Sequence, residues 1–206
     1  MTTDLLTLTQ WLSPAFPLGS FAYSHGIETE IAEGRITSAD DLQDWLEIVI
    51  RRGTGQSDAV LLMRAMAGED MLAYARAMAA SKERSEETEA QGAAFAKTLG
   101  ALGTAQHAGP LPVVVGEAAR QLDLEPTTVA ALYLHAFASN LVSCAVRFVP
   151  LGQEDGQRVL TRLKPAIAET VEAAKGVSVC DLRNAAFLSD CAAMAHEGLV
   201  ARMFRT

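Results

Sequence analysis

The chain is short of the residues from which most catalytic and metal sites are built. Only three of its 206 residues are cysteine, namely Cys144, Cys180 and Cys191. Their number is odd and they have no zinc-ligand spacing, which speaks against a disulfide framework and a structural zinc. Cys144 lies inside an apolar run and reads as a small core residue. Lysine and arginine total 17 against 25 acidic residues, a formal charge of −8. No basic stripe stands out, so nucleic acid is an unsuitable partner. An acidic surface suits basic protein partners, or simply keeps the chain in solution.

The absences extend to the motifs. No G-x-x-x-x-G-K-[ST] phosphate loop, H-E-x-x-H or G-x-S-x-G occurs. None of the four histidines, His25, His107, His135 and His196, has a glutamate three residues before it, so the di-iron bundle motif is missing. No nucleophile, base and orienting group can be assembled, which moves weight from enzyme to binding protein; catalytic, cofactor and metal residues are expected to be none. The N-terminus, MTTDLLTLTQWL, has an acid where a secretory signal has basic residues. No apolar run reads as long enough to cross a bilayer. The expectation is a reduced, cytoplasmic protein with no membrane association.

What the chain does have is hydrophobic bulk without aromatic weight. Half of it is hydrophobic and 6% is aromatic. Alanine is abundant and no strand-like alternation persists, which suits closely packed helices. The expected fold is all-α: a single compact multi-helix bundle over residues 1–206, with a short N-terminal helix and a C-terminal tail as partner-binding appendages. Asp4 to Leu12 reads as a helix, broken by Ser13–Ser20. Ser20 is placed to cap a helix running to Glu33, and Ser38 with Asp41 resembles a capping box. Ser57 restarts a helix, Met71–Ala80 and Val113–Leu122 are further helices, and Lys82–Glu89 reads as a charged, solvated stretch. Pro126 opens a helix to Val149 whose stripe (Val129, Leu132, Tyr133, Ala136, Phe137, Leu141, Cys144, Ala145, Phe148) faces a second side that is hardly polar. A helix apolar all round is buried, at the centre of the bundle or in a subunit interface. Asn140 on that stripe is expected to make a structural hydrogen bond. The last two helices are expected over about Gly156–Lys175 and Asp181–Phe204.

The segment Arg147–Arg158, RFVPLGQEDGQR, ends the apolar helix at Pro150 and brackets an acidic turn with Gly152-Gln153 and Gly156-Gln157. Glu154 and Asp155 would repel phosphate, so it is read either as a plain helix connector or as a surface built for contact. His25 and Glu28, three apart, are either half of a metal site or a hydrogen-bonded pair at a helix start.

Three segments together resemble the urease accessory protein UreF family: Ser13–Glu30 (SPAFPLGSFAYSHGIETE), Asn140–Arg158 (NLVSCAVRFVPLGQEDGQR) and Asp181–Thr206, ending HEGLVARMFRT. A weaker match runs through His107–Gly116. The chain departs from the family pattern at Ala90-Gln91-Gly92, where Gln-Met-Gly is usual. It departs also at Phe187, Ala195 and Val200, where proline, arginine and tyrosine are usual. The resemblance implies a non-enzymatic, all-helical nickel-insertion factor without a cofactor. Such a factor binds UreD (UreH), dimerises through the helical body and recruits the GTPase UreG. The assembly docks on apo-urease, and GTP hydrolysis drives nickel delivery. A direct nickel-binding metallochaperone is the alternative.

On that implication the partner-binding candidates are Phe21, Tyr23, His25, Glu28, Gln153, Gln157, Arg202, Met203, Phe204 and Arg205. Phe21 and Tyr23 either present themselves after the Pro/Gly break or pack in the core. Arg202–Arg205 form a basic-aromatic tail expected to fray alone and to order against UreD, with Arg202 and Phe204 as anchors. Gln153 and Gln157 are the candidates to meet UreG, with Arg147 and Arg158 bracing them against acids.

Overall fold

The computed structural model describes residues 1–149, 151–200 and 202–205. Among them are ten α-helices, two 3-10 turns and no strand. The helices are α1 (Thr2–Trp11), α2 (Ile27–Ala32), α3 (Ala39–Arg52), α4 (Thr54–Met66), α5 (Leu72–Ala77), α6 (Lys82–Ala101), α7 (Leu111–Ala119), α8 (Pro126–Ala145), α9 (Gln153–Ala174) and α10 (Phe187–His196). The 3-10 turns are Ser20–Ala22 and Val179–Asp181. The all-α expectation holds.

The centre is α8. Pro126 occupies its first turn as expected. No residue from Val129 to Ala145 is exposed, and α9, α4, α3 and α2 all pack on it. By length and composition Pro126–Ala145 does meet the requirement for a bilayer span, contrary to the sequence expectation. Here the bundle, not lipid, covers it. Replacing one of its fully buried leucines, such as Leu134, by alanine removes about 2–5 kcal/mol. The Asn140 Nδ2 donates to the Ser20 carbonyl at 3.0 Å, the structural bond the sequence called for.

Helix starts follow side-chain capping. The Ser38 Oγ accepts from the Asp41 amide, and the Asp41 carboxylate reaches back to the Ser38 N–H. This reciprocal pair orients α3, which buries Leu42, Leu46, Val49 and Ile50.

Other boundaries differ from the expectation. The helix placed over Ser20–Glu33 is a 3-10 turn, an extended Tyr23, and then α2. His25 (φ 57°) and Gly26 (φ 82°) are both left-handed and break it. At Gly26 a Cβ would lie 2.9 Å from the Ala193 nitrogen of α10, so only glycine serves both the angle and the packing. The stretch Lys82–Glu89 is solvated on one side only: it lies in the first half of α6, Lys82 and Glu86 are exposed, and Glu83 and Glu87 are buried. The helix expected from Ser57 starts at Thr54. α5 and α7 are shorter than the helices read over Met71–Ala80 and Val113–Leu122. α8 ends at Ala145, and turns carry the chain through 146–148. The stop placed at Pro150 lies outside the described residues. The helix expected over Asp181–Phe204 shrinks to α10, because Asn184 ties its amide to Asp190 and its carbonyl oxygen to the Ala186 N–H, fixing a non-helical entry.

Where α6 crosses the chain before α7, a Cβ on Gly92 would collide with the Gly109 carbonyl oxygen, whereas Gly100 faces open space. Gly92→Ala is expected to destabilise the fold by about 1–3 kcal/mol. Gly100→Ala, on the same helix, is expected to stabilise it by about 0.5–1 kcal/mol. Thermal unfolding of the two variants beside the parent measures both signs.

A candidate docking face where the chain ends meet

Glu28 stands in the first turn of α2 and holds the end of the chain. Its Oε1 accepts the Met203 N–H at 2.8 Å, and its Oε2 accepts the Phe204 N–H at 3.1 Å. The same Oε2 is 3.0 Å from Nε2 of His196, the last residue of α10. The other ring nitrogen, Nδ1, is 2.8 Å from the Glu83 Oε2. The Glu83 Oε1 in turn accepts from Arg202 at 2.8 Å. A continuous polar relay therefore joins α2, α10, α6 and the tail. His196 at its centre is fully buried.

Burial pushes the Glu28 carboxyl up. The His196 bond and the two tail amides outweigh it, and the net shift is below the ordinary glutamate value. The tail gains two further holds. The Arg205 N–H donates to the Ala22 carbonyl at 2.7 Å. The buried Phe204 ring meets Phe148 edge-on, with centroids 5.0 Å apart.

The expectation of a frayed tail is thus corrected: Arg202–Arg205 are packed against the body in the isolated chain. Phe204 is inside, while Met203 is 70% exposed and Arg202 and Arg205 face solvent. Phe21 is partly exposed, and the Arg147 guanidinium lies 5.3 Å over its ring. Arg147 stacks there, and among the described residues no acid pairs with it. Tyr23 is buried, and its carbonyl accepts a long bond from the Cys144 thiol at 3.5 Å. Burial raises that thiol to about 12.

His25 and Glu28 do not pair, which corrects the reading of a pair at a helix start. The left-handed His25 turns its ring inward, edge-on to Phe137 at 5.3 Å, with Nε2 3.2 Å from the Thr54 hydroxyl. Burial, and secondarily the charge of Arg84, holds it well below the ordinary histidine value. Among the described residues no three histidine, cysteine or acidic side chains gather as a metal site.

Gln153 and Gln157 are exposed, but they occupy the first two turns of α9 and not a loop. Asp155 between them accepts the Gly152 N–H at 3.1 Å and pairs with Arg158. The Arg158 bond first, and the Gly152 amide second, hold the Asp155 carboxyl below its ordinary value. An acid in the first turn also suits the helix dipole. The turn 146–148 links the two regions, since Arg147 covers Phe21 and Phe148 carries Phe204.

Glu83, His196 and Phe148 are absent from the partner-binding candidates read from the sequence. A signal for Glu83 existed: Glu83, Glu87, Gln91, Phe95 and Leu99 recur every four residues, so the acids continue one face into the core. No local pattern points to His196, whose partners lie 113 and 168 residues away.

A family model described as UreF matches residues 36–164. The chain is 50% identical over 210 residues to the "Urease accessory protein UreF" of Jannaschia sp. (strain CCS1), covering 100% of this chain and 96% of that protein. It is 50% identical to the protein of that name from Cereibacter sphaeroides (strain ATCC 17025 / ATH 2.4.3), covering 100% of both. The counterpart from Ruegeria pomeroyi (strain ATCC 700808 / DSM 15171 / DSS-3) is 40% identical over 98% of this chain and 97% of its own.

Glu28→Ala is expected to free the tail while leaving helicity intact. Trypsin should then cut after Arg202 at least about tenfold faster, an opening free energy of ~1.4 kcal/mol, read by mass spectrometry. Because Glu28 is depressed, its hold is complete above the ordinary glutamate range and is lost as pH falls through its folded value. Tail amides should therefore exchange protection for exposure as pH falls below the ordinary glutamate range, as hydrogen exchange across that range will record.

Proposed function

The chain belongs to the UreF family of urease accessory proteins, and from that membership we propose that it acts as an adaptor in urease maturation. It binds UreD (UreH), recruits the GTPase UreG, and modulates that GTPase while nickel is inserted into apo-urease. The family is one of maturation factors and not of catalysts. Nickel in this reading is cargo. The observation that carries it is identity of 50% along the whole chain to proteins named for urease accessory work.

The physical features support a division of labour. Phe21, Arg202, Met203 and Arg205 offer an aromatic, two arginines and a methionine on one prepared surface, residue types that dominate interface energetics. This is the face proposed for UreD. Phe204, Tyr23, His25 and Glu28 serve it from beneath, by holding the tail and the turn in place. The exposed amides Gln153 and Gln157, on the helix start that the Asp155 bonds to Gly152 and Arg158 cap, are the face proposed for UreG. A homodimer through the helical body completes the assembly.

Co-expression with UreD and UreG, followed by size exclusion and a urease assay, tests the reading. A complex containing all three and an increase in active urease are expected. Normal urease activation in cells lacking this chain would overturn it. Gln153→Ala with Gln157→Ala is expected to weaken UreG recruitment about tenfold or more, ~1.4 kcal/mol, with UreD binding retained. Pull-down of each partner separates the two effects.

A further inference from the structure

Beneath the loop that follows α1 lies a cavity of about 360 Å³, within the range of small-ligand sites. Leu12, Phe16 and Leu18 form one wall and Leu132 and Phe137 of α8 the other. Its mouth is marked by the exposed Thr9, Pro14 and Phe21. The floor is charged, with Asp58 from α4, Arg84 and Glu87 from α6, and Tyr133 from α8.

The floor holds two carboxylates against one guanidinium. Arg84 pairs with Glu87, which also accepts from the Gln91 amide at 3.1 Å. Asp58 accepts from the Tyr133 hydroxyl at 2.8 Å. Arg84 makes its ion pair with Glu87 and reaches Asp58 through its charge alone; among the described residues Asp58 has no ion pair of its own. A buried carboxylate lining a largely apolar cavity is costly unless a cation meets it. An anion would be repelled there. A metal ion would find too few ligands, since among the described residues no three His, Cys, Asp or Glu side chains gather.

We propose that this cavity is a binding site for an organic cation, an alkylguanidinium or alkylammonium group, with its stem against the apolar walls and its charged head on Asp58. Of the residues on the two faces described above only Phe21, at the mouth, also lines the cavity, and the proposal does not depend on the adaptor reading. The charged head gives Asp58 a direct ion-pair partner, where Arg84 acts on it only by its charge from farther off, and the hydrocarbon stem excludes water from the pair, which strengthens it. Burial first pushes Asp58 up to about 6, with the Arg84 charge and the Tyr133 bond opposing and the Glu87 charge adding. The ionisable groups around the cavity are Arg84 and Glu87 on α6 and Tyr133 and His135 on α8; α1 and the following loop contribute none. An Asp58 that titrates near 6 costs the bound cation roughly tenfold in affinity between pH 7 and pH 5. Protonation of His135 acts in the same direction.

The test is titration of the intact chain with n-butylguanidinium, the neutral isostere n-butylurea, and the peptide acetyl-Ala-Arg-Ala-amide, followed by amide NMR. Saturable shifts at Tyr133 and Leu132 are expected with the guanidinium at about millimolar affinity, a reasonable range for a fragment. The urea should bind at least about tenfold more weakly, and Asp58→Asn should abolish the difference. Ala136→Trp, which adds bulk to the cavity lining while leaving Asp58 in place, should block both cations. Tighter binding of the peptide assigns the cation to a polypeptide side chain, and tighter binding of the free guanidine assigns it to a small molecule. Equal binding of guanidinium and urea to the parent chain, or no shift at the cavity residues, overturns the proposal. Should circular dichroism show Asp58→Asn unfolded, the urea comparison and Ala136→Trp decide.

Discussion

A carboxylate taken from water into a helical bundle costs several kcal/mol unless cations or donors meet it, and α6 takes in two, Glu83 and Glu87, at 5% and 4% exposure. The answer to each shapes the surrounding structure. Glu87 is met within its own helix by Arg84 and Gln91. Glu83 is met from outside, by His196 of α10 and Arg202 of the tail. The chain terminus is therefore brought home by an unmet charge on a helix more than a hundred residues earlier. Glu28 completes the arrangement, because the far nitrogen of His196 and two tail amides converge on it. Removing one member leaves another charge buried without its partner, which is why the relay acts as a unit.

Close packing makes that relay possible. α10 lies over Gly26 so tightly that a side chain there would strike its backbone. The left-handed His25 and Gly26 end the preceding turn and start α2 at the angle that points Glu28 at the tail. α8 supplies the rigid floor. Tyr23 rests on Cys144, Ser20 is fixed by Asn140, and the turn beyond Ala145 presents Arg147 and Phe148 to the two chain ends. The candidate docking face is thus a consequence of the core beneath it.

Features governed by local spacing were legible in the sequence. The apolar periodicity of α8, the Ser38–Asp41 capping box and the first-turn Pro126 needed only neighbouring residues to be recognised, and each stands in the structure. What escaped depends on distant partners. The run around Glu83 and Glu87 reads as solvated because charge usually marks a surface, and only Arg202, His196 and Arg84 make its burial tolerable. The break at His25 escaped because a non-glycine residue rarely adopts a positive φ. The tail reads as frayed because nothing near it in sequence can hold it. Its acceptors, Glu28, Glu83 and Ala22, are brought together only by the finished fold.

A tail that is already ordered changes the energetics of docking. A disordered segment that folds on its partner gives up roughly 0.5–1.5 kcal/mol for each long side chain it immobilises, besides its backbone entropy. In this chain much of that cost is met during folding, by three backbone hydrogen bonds and the Phe204–Phe148 contact. Met203 and the two arginines are then displayed on a fixed scaffold. A partner docking there, as proposed, would need only to match a surface, and more of the contact energy would be left as affinity. The same logic explains why Phe204 can matter while being buried: its ring contributes by holding the display still. An adaptor whose contact residues sit on such a support gains specificity from geometry, since a rigid surface rejects partners whose shape it cannot adjust to meet.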